Sequence, residues 1–165
     1  MNSPLLEFEK VCFQYKKSHM AIIEALDFQV QEGELVSIIG PSGSGKSTLF
    51  RLISGLEQPD KGSILLQGKR GQRVGKVGYM PQQDLLLPWR TVIENAILPL
   101  ELQGLNKRDA KDKVLAWLDD FGLRGTEDQY PGELSGGMRQ RVSFLRSLLS
   151  GSKLLLLDEP FSAVD

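Results

Sequence analysis

"GPSGSGKST", at residues 40–48, contains three glycines, three serines and one each of proline, lysine and threonine. Glycine allows the main chain to wrap closely around an anion and to turn successive backbone N–H groups toward its oxygens. The spacing of Gly40, Gly45, Lys46 and Ser47 satisfies G-x-x-x-x-G-K-[ST], in which the lysine contacts the β- and γ-phosphates and the hydroxyl contacts Mg²⁺. The stretch therefore predicts a phosphate-binding loop.

The residues on either side of this loop complete the pattern. "ELVSIIG", residues 34–40, predicts a buried strand, and apolar residues recur at helical spacing after the loop, at Leu49, Phe50, Leu52, Ile53 and Leu56. A helix that begins at the loop directs the positive end of its dipole and its unpaired N–H groups at bound phosphates. This order favours phosphate binding over a Gly/Ser turn with a surface lysine.

Length and composition are those of a soluble globular domain with a sizeable core: 165 residues, 41% hydrophobic and 25% charged. The net charge of −1 gives no general attraction to nucleic acid, so we expect no nucleic-acid partner. A local basic stretch, residues 61–76, lacks interleaved aromatic residues, and we expect its charges to be solvated. They belong to Lys61, Lys69, Arg70, Arg73 and Lys76.

Periodicity predicts strands first and helices later. Alternation in "FEKVCFQY" and a turn at Glu32-Gly33 predict an antiparallel sheet before the loop, and "GSILLQG" and "VGYMPQ" predict two more strands. Residues 106–122 predict a helix with Asn106 as N-cap and Gly122 as its stop. The predicted core face of this helix consists of Ala110, Val114, Trp117, Leu118 and Phe121.

Two later stretches carry further chemistry. The leucines of "SKLLLLDEP", residues 154–157, predict a fully buried parallel strand that ends in Asp158, which can hold the Mg²⁺ that Ser47 contacts, and Glu159, which can polarise a water. "LSGGMRQR" places Ser135 before a second helix, where it can act as a cap. The glycines that follow it favour instead a second helix N-terminus that binds phosphate. This one would bind a nucleotide held by another copy of the chain.

These motifs together resemble the ATP-binding subunit of an ABC transporter, with "GPSGSGKST" as Walker A, "LSGGM" as signature, "LLLLDEP" as Walker B and "SAVD" as D-loop. The resemblance covers essentially the whole chain. It implies an α/β fold: a P-loop NTPase core with an N-terminal antiparallel β-subdomain, a helical insertion and a sheet incomplete at the C-terminus. The implied parts are a core with Walker A at residues 1–82, a helical subdomain at 83–142, and a core strand with Walker B and D-loop at 143–165.

The resemblance also implies the site. Lys46, Gln82 and Glu159 are the implied catalytic residues, with Glu159 as general base and Gln83 as an alternative to Gln82 by one position. Mg²⁺ is held by Ser47, Gln82 and Asp158. The implied ATP-binding residues, with Tyr15 stacked on adenine, are Tyr15, Gly40, Pro41, Ser42, Gly43, Ser44, Gly45, Lys46, Ser47, Thr48, Ser135, Gly136 and Gly137.

"LLPWRTV" and "GGMRQR" are similar to importers of the nitrate, sulfonate and taurine group. The implied function is ATP hydrolysis that drives uptake of such a solute or of a thiamine precursor. The implied partners are membrane-spanning permease subunits, a solute-binding protein indirectly, and a second copy in a head-to-tail dimer. The implied location is peripheral, on the cytoplasmic face of the cell membrane.

The end of the sequence affects the expected activity. The family's switch histidine lies beyond the D-loop, the chain ends at Asp165, and its single histidine, His19, is in the wrong place. We therefore expect a fragment of a longer gene product that binds ATP but hydrolyses it weakly or not at all. Two alternatives stay open: a non-transport ABC ATPase of DNA repair or translation, and a nucleotide-binding module without turnover.

Overall fold

The computed structural model describes residues 3–16 and 20–160, which fall into two compact units, Met1–Val77 and Gly78–Asp165. The first unit contains four strands and one helix among its described residues. They are β1 (Leu6–Phe13), β2 (Ile23–Val30), α1 (Lys46–Ser54), β3 (Lys61–Leu66) and β4 (Lys69–Arg70). The described part of the second unit contains β5 (Gly78–Met80), α2 (Val92–Ala96), α3 (Leu98–Leu102), α4 (Lys107–Leu118), a 3-10 turn (Pro131–Glu133), α5 (Gly136–Leu148) and β6 (Leu155–Leu157).

The antiparallel sheet predicted before the loop is confirmed. Its strands lie in the order β2-β1-β3-β4, and each neighbouring pair is antiparallel. Apolar side chains of β1 alternate into the core, and Phe8 stacks on its partner Phe28 with 4.4 Å between ring centroids. The alternation skips at Lys10, which has a φ of 47° at a β-bulge, and this brings Val11 back to the buried face.

The prediction of a buried strand at residues 34–40 is wrong. Leu35 and Ile39 are 95% and 94% exposed, and within the described residues this segment is absent from both sheets. Parallel strands with apolar residues on both faces are stable only where neighbouring strands and helices cover them, and among the described residues this segment pairs with no strand. The apolar composition predicted that the segment can be buried, but it contained no information on whether a partner strand is present.

Helix α1 follows the predicted apolar spacing. Leu49, Leu52 and Ile53 are buried on one face. The helix ends at Ser54 because Gly55 adopts a left-handed conformation, with a φ of 82°, and donates its N–H to the carbonyl of Leu52. Leu56 lies beyond this stop and is half exposed, so the predicted apolar face is one residue too long.

Arg73 corrects the prediction that the basic residues of the stretch 61–76 are all solvated. Its side chain is buried, and its guanidinium donates from Nη2 to the carbonyl of Leu52 at 3.1 Å and from Nη1 to the carbonyl of Gly71 at 3.2 Å. Burial lowers the pKa of the Arg73 guanidinium. The sequence shows the charge, but the carbonyl acceptors at the end of α1 come from the tertiary fold.

The second unit contains a parallel strand pair and a helical core. Strands β5 and β6 pair in the register Gly78↔Leu155 to Met80↔Leu157, as predicted for "LLLL", but only Leu156 of β6 is fully buried. Helices α2 to α5 contribute to one apolar cluster, whose buried members run from Leu86 to Leu145. Within the described residues, no helix has the length and apolar character needed to cross a bilayer.

Helix α4 confirms the predicted N-cap but ends early. Asn106 accepts a hydrogen bond from the backbone N–H of Asp109 at 3.0 Å. The helix ends at Leu118, four residues before the predicted stop at Gly122, which instead forms part of a turn with a φ of 59°.

The predicted core face of α4 is correct for Ala110, Val114 and Leu118 and wrong for Trp117. Trp117 is 45% exposed and packs against Phe121, with 6.3 Å between ring centroids. The buried stripe repeats every four residues, so Trp117 lies at its edge, where a large ring covers the core without being enclosed by it.

We expect Arg73→Met to lower the free energy of unfolding by about 1–3 kcal/mol, because the buried carbonyls that accept from the guanidinium lose their donor. Chemical denaturation monitored by circular dichroism measures this loss. Lys76→Met removes an exposed charge from the same stretch and is the matched control, with an expected change within about 0.5 kcal/mol. Equal effects of the two substitutions would show that the bonds of Arg73 do not stabilise the unit.

Candidate functional site

The predicted phosphate loop has the backbone of an anion-binding loop. Gly43 and Gly45 have φ angles of 80° and 95°, which side-chain-bearing residues adopt only with strain. A Cβ at Gly45 would also lie 2.8 Å from Cγ2 of Ile22, whereas a Cβ at Gly43 would meet nothing within 4 Å. The loop therefore requires glycine at position 45 for two separate reasons.

Helix α1 begins directly after this loop without a side-chain cap. Its N-cap is Gly45, so the cap position supplies no side chain to accept from the N–H groups of the first turn. Uncapped N–H groups and the positive end of the helix dipole form a site for an anion. The ammonium of Lys46, the first helical residue, donates to the carbonyls of Gly40 at 2.8 Å and Pro41 at 3.0 Å, which holds the cation against the loop.

Tyr15, the residue predicted to stack on adenine, lies close to the same helix. Its hydroxyl is 3.4 Å from Oγ1 of Thr48, and its ring packs edge-to-face on Phe13 with centroids 4.9 Å apart. The fold thus brings Tyr15 to the first turn of α1, although 33 residues separate Tyr15 from Thr48. Its role toward adenine stays a prediction.

Asp158 follows strand β6 and is buried, with 5% of its surface exposed. Its backbone N–H donates to the carbonyl of Met80 at 2.9 Å, while its carboxylate accepts no hydrogen bond from any residue in the described ranges 3–16 and 20–160. A buried carboxylate is costly unless a cation or a donor faces it. Oxygen ligands of this kind suit Mg²⁺, so the residue fits the metal role that the sequence predicts for it.

Gln82 and Glu159 lie together. Nε2 of Gln82 donates to Oε2 of Glu159 at 2.7 Å, and Glu159 is exposed with a left-handed φ of 51°. In the described part of the chain, Gln83 makes no such contact with Glu159. The contact supports the choice of Gln82 over Gln83, while the catalytic roles of both residues of the pair stay predictions.

Ser135 acts as the N-cap of α5. Its Oγ accepts from the N–H of Met138 at 3.2 Å, so the capping function that the sequence allowed is present. Gly136 and Gly137 form the first positions of the helix and are half-buried. Neither the predicted D-loop at 162–165 nor His19 belongs to the described residues.

Sequence reasoning missed a set of charged residues that joins the segment after Gln82 to α5. Arg139 Nε donates to Oδ2 of Asp84 at 3.1 Å, and Arg146 donates to two carbonyls of the same segment. Burial lowers the pKa of the Arg146 guanidinium, and the charge of Asp84 opposes this effect. The only available signal was a pair of arginines seven residues apart on one helix, which does not identify their partner.

Comparison of the sequence with models of protein families identifies the family of the chain. The model described as ABC transporter matches residues 23–162. The chain belongs to the ABC transporter family. The resemblance inferred from the motifs is thereby confirmed.

The relatives to which the chain is similar include ATP-binding proteins of importers. The formylaminopyrimidine import ATP-binding protein ThiZ of Halalkalibacterium halodurans is 55% identical over 165 residues, which are 100% of this chain and 64% of ThiZ. The aliphatic sulfonates import protein SsuB of Bacillus cereus and the nitrate import protein NrtD of Synechocystis are each 42% identical over 154 residues, 93% of this chain. These residues are 60% of SsuB and 58% of NrtD, so the chain spans about three fifths of its relatives' length.

A solved ABC cassette confirms the α/β fold class. The dimeric post-hydrolysis structure of the ATP-binding cassette MJ0796, bound to ADP and Pi, superimposes with a TM-score of 0.89. The sequence identity is 30%, and the alignment covers 97% of this chain and 76% of the MJ0796 chain.

We expect Gly45→Ala to weaken ATP binding far more than Gly43→Ala does. Both substitutions force alanine into a left-handed conformation at a cost of roughly 1–2 kcal/mol, but only the first adds a clash with Ile22. Titration calorimetry with ATP measures the difference, and Ile22→Ala combined with Gly45→Ala should recover part of the loss. Equal affinities of the two alanine variants would mean that the close approach at Ile22 has no effect on the loop.

Proposed function

We propose that the chain binds Mg²⁺-ATP and supplies the ATP-driven motor of an importer for a small solute. The observation that carries this proposal is the uncapped start of α1 behind the loop of Gly43 and Gly45, with Lys46 held against the loop. Such a site binds phosphate chains through main-chain N–H groups and one ammonium. The proposed ATP-binding residues are those the sequence predicts, from Tyr15 and the loop to the signature residues of a second copy.

The proposed reaction is transfer of the γ-phosphoryl group to water. Lys46 neutralises charge on the β- and γ-phosphates, and Glu159 accepts a proton from the attacking water as general base. Gln82, which already contacts Glu159, orients that water. Ser47, Gln82 and Asp158 would hold Mg²⁺, which would supply charge neutralisation at the phosphate oxygens.

The second copy completes the proposed site. Ser135, Gly136 and Gly137 would contact the ATP held by the partner copy, in a head-to-tail dimer. Gly136 and Gly137 carry no side chain that would separate their N–H groups from a phosphate. The dimeric form in which MJ0796 was solved supports an arrangement of two copies.

The relatives guide the choice of partners and solute. ThiZ, SsuB and NrtD are named as import proteins for formylaminopyrimidine, aliphatic sulfonates and nitrate. We propose that this chain likewise acts with membrane-spanning permease subunits, and indirectly with a solute-binding protein, at the cytoplasmic face of the membrane. The proposed solute is small, of the sulfonate, nitrate or thiamine-precursor type.

Lys46→Ala tests the ATP site directly. We expect the dissociation constant for Mg²⁺-ATP to rise at least about tenfold, because the phosphates lose their cation. Calorimetric titration of the 165-residue chain measures it, and Lys76→Ala, which removes an exposed lysine from the same unit, is the control with unchanged affinity. Wild-type affinity in Lys46→Ala, or no saturable binding in the unsubstituted chain, would contradict the proposed function.

Asp158→Asn tests the metal site separately from the nucleotide site. The amide has the shape of the carboxylate without its charge, so we expect the gain in ATP affinity on adding Mg²⁺ to disappear while affinity without Mg²⁺ stays the same. Titrations with and without Mg²⁺ measure both quantities. An unchanged Mg²⁺ dependence would exclude Asp158 as a ligand.

A further inference from the structure

Arg139 bridges two segments that carry proposed site residues. Its Nε donates to Oδ2 of Asp84 at 3.1 Å, and its Nη1 donates to the carbonyl of Leu134 at 2.8 Å. Asp84 lies two residues after Gln82, and Leu134 lies immediately before Ser135. One planar guanidinium therefore connects the segment of the proposed catalytic glutamine with the start of the signature helix.

A second arginine of the same helix holds the same segment. Arg146 lies seven residues after Arg139, which places both side chains on one face of α5. Arg146 Nη2 donates to the carbonyl of Asp84 at 2.8 Å, and its Nη1 donates to the carbonyl of Leu85 at 3.0 Å. The segment is thus attached to α5 at two points, once through a side chain and once through its main chain.

The segment is also anchored within itself. Oδ1 of Asp84 accepts the backbone N–H of Leu86 at 3.2 Å, and the side chain of Leu86 is buried in the helical core. Both carboxylate oxygens of Asp84 are therefore used, one for its own turn and one for Arg139. Displacement of the segment from α5 would break the ion pair of Asp84 with Arg139 and the bonds of Arg146 to the main chain together.

An ordinary surface ion pair would not hold two segments of the chain together. Exposed pairs contribute little because they are solvated and mobile. The side chains of Arg139 and Asp84 are 36% and 30% exposed, whereas those of the pair Arg124 and Asp119 are 79% and 72% exposed with 3.6 Å between the charged atoms. Arg124 is thus a natural control for an arginine whose ion pair holds nothing else.

We propose that Asp84 and Arg139 are a positioning pair that makes the Gln82 segment and the signature start at Ser135 move as one body. The inference rests on the proposed function, in which Gln82 acts on the ATP of its own chain and Ser135 contacts the ATP of the partner copy. The pair would then transmit the state of one ATP site to the other. Neither residue touches ATP in this role.

Hydrogen exchange of the nucleotide-free chain tests the connection. Two amides report on the two segments: that of Leu86, which donates to Asp84, and that of Met138, which donates to Ser135. We expect Asp84→Asn to accelerate exchange at Met138, and Arg139→Gln to accelerate exchange at Leu86, each about tenfold or more, because a charge-assisted bond is lost. The amides of Ala110 and Val114 in α4 should not change, which separates this effect from general destabilisation.

Arg139→Lys and Arg124→Gln sharpen the test. Lysine keeps the charge but lacks the fork that reaches two acceptors, so Arg139→Lys should protect one of the two reporting amides and not both. Arg124→Gln should change neither. Acceleration confined to the segment that carries each substitution, or full protection of both amides by lysine, would overturn the proposal.

Addition of Mg²⁺-ATP separates this inference from the proposed function. If ATP slows exchange in the loop at residues 43–48, the nucleotide site is present, and exchange at Leu86 and Met138 should then change together in the unsubstituted chain and independently in Arg139→Gln. No effect of ATP on residues 43–48 would contradict the proposed function, while the nucleotide-free measurements would still decide whether the two segments are connected.

Discussion

The uncapped N-terminus of α1 is the constraint on which the proposed site depends. A helix leaves its first N–H groups without intrahelical partners, and most helices satisfy some of them with a side-chain cap. Here the cap position is Gly45, which has a left-handed backbone and no side chain that could accept them. At the opposite end of α1, both Gly55 and Arg73 donate to the carbonyl of Leu52. The C-terminal end of α1 is therefore stabilised by hydrogen bonds within the chain, while the N–H groups at its start are available to an anion.

Helix α5 differs from α1 in how the N–H groups at its start are satisfied. Ser135 uses its side chain to accept the N–H of Met138, so one of the free N–H groups is satisfied within the chain. The next two residues are glycines, which leave the main chain at the helix start accessible. The first turn is then tied by Arg139 to the segment that follows Gln82. The cation at the start of α1, Lys46, donates to two carbonyls of the loop, whereas Arg139 of α5 donates to Asp84 and to the carbonyl of Leu134, the residue before the cap.

Sequence patterns predicted those features that depend on neighbouring residues. Alternation located β1, the side chain of Asn106 located the start of α4, and the glycine spacing located the loop before α1. The patterns failed where the outcome depended on a distant partner. Residues 34–40 have the composition of a buried strand but belong to neither sheet within the described residues, and Arg73 is buried where the carbonyl of Leu52, 21 residues away, accepts from it. Asp84 and Arg139 are 55 residues apart, and the spacing of Arg139 and Arg146 on one helix did not identify Asp84 as the partner.

The two carboxylates after β6 lie in different environments because the backbone changes conformation between them. Asp158 is drawn inward because its N–H continues the pairing with Met80, and its carboxylate is left buried without a donor among the described residues. Glu159 then adopts a left-handed φ, so its side chain leaves the strand direction and reaches solvent and Gln82. A buried carboxylate without a donor suits a cation, whereas the carboxylate of Glu159 is exposed and accepts from the amide of Gln82. Because the separation is made by the backbone at position 159, the two acids differ in environment although they are adjacent and chemically alike.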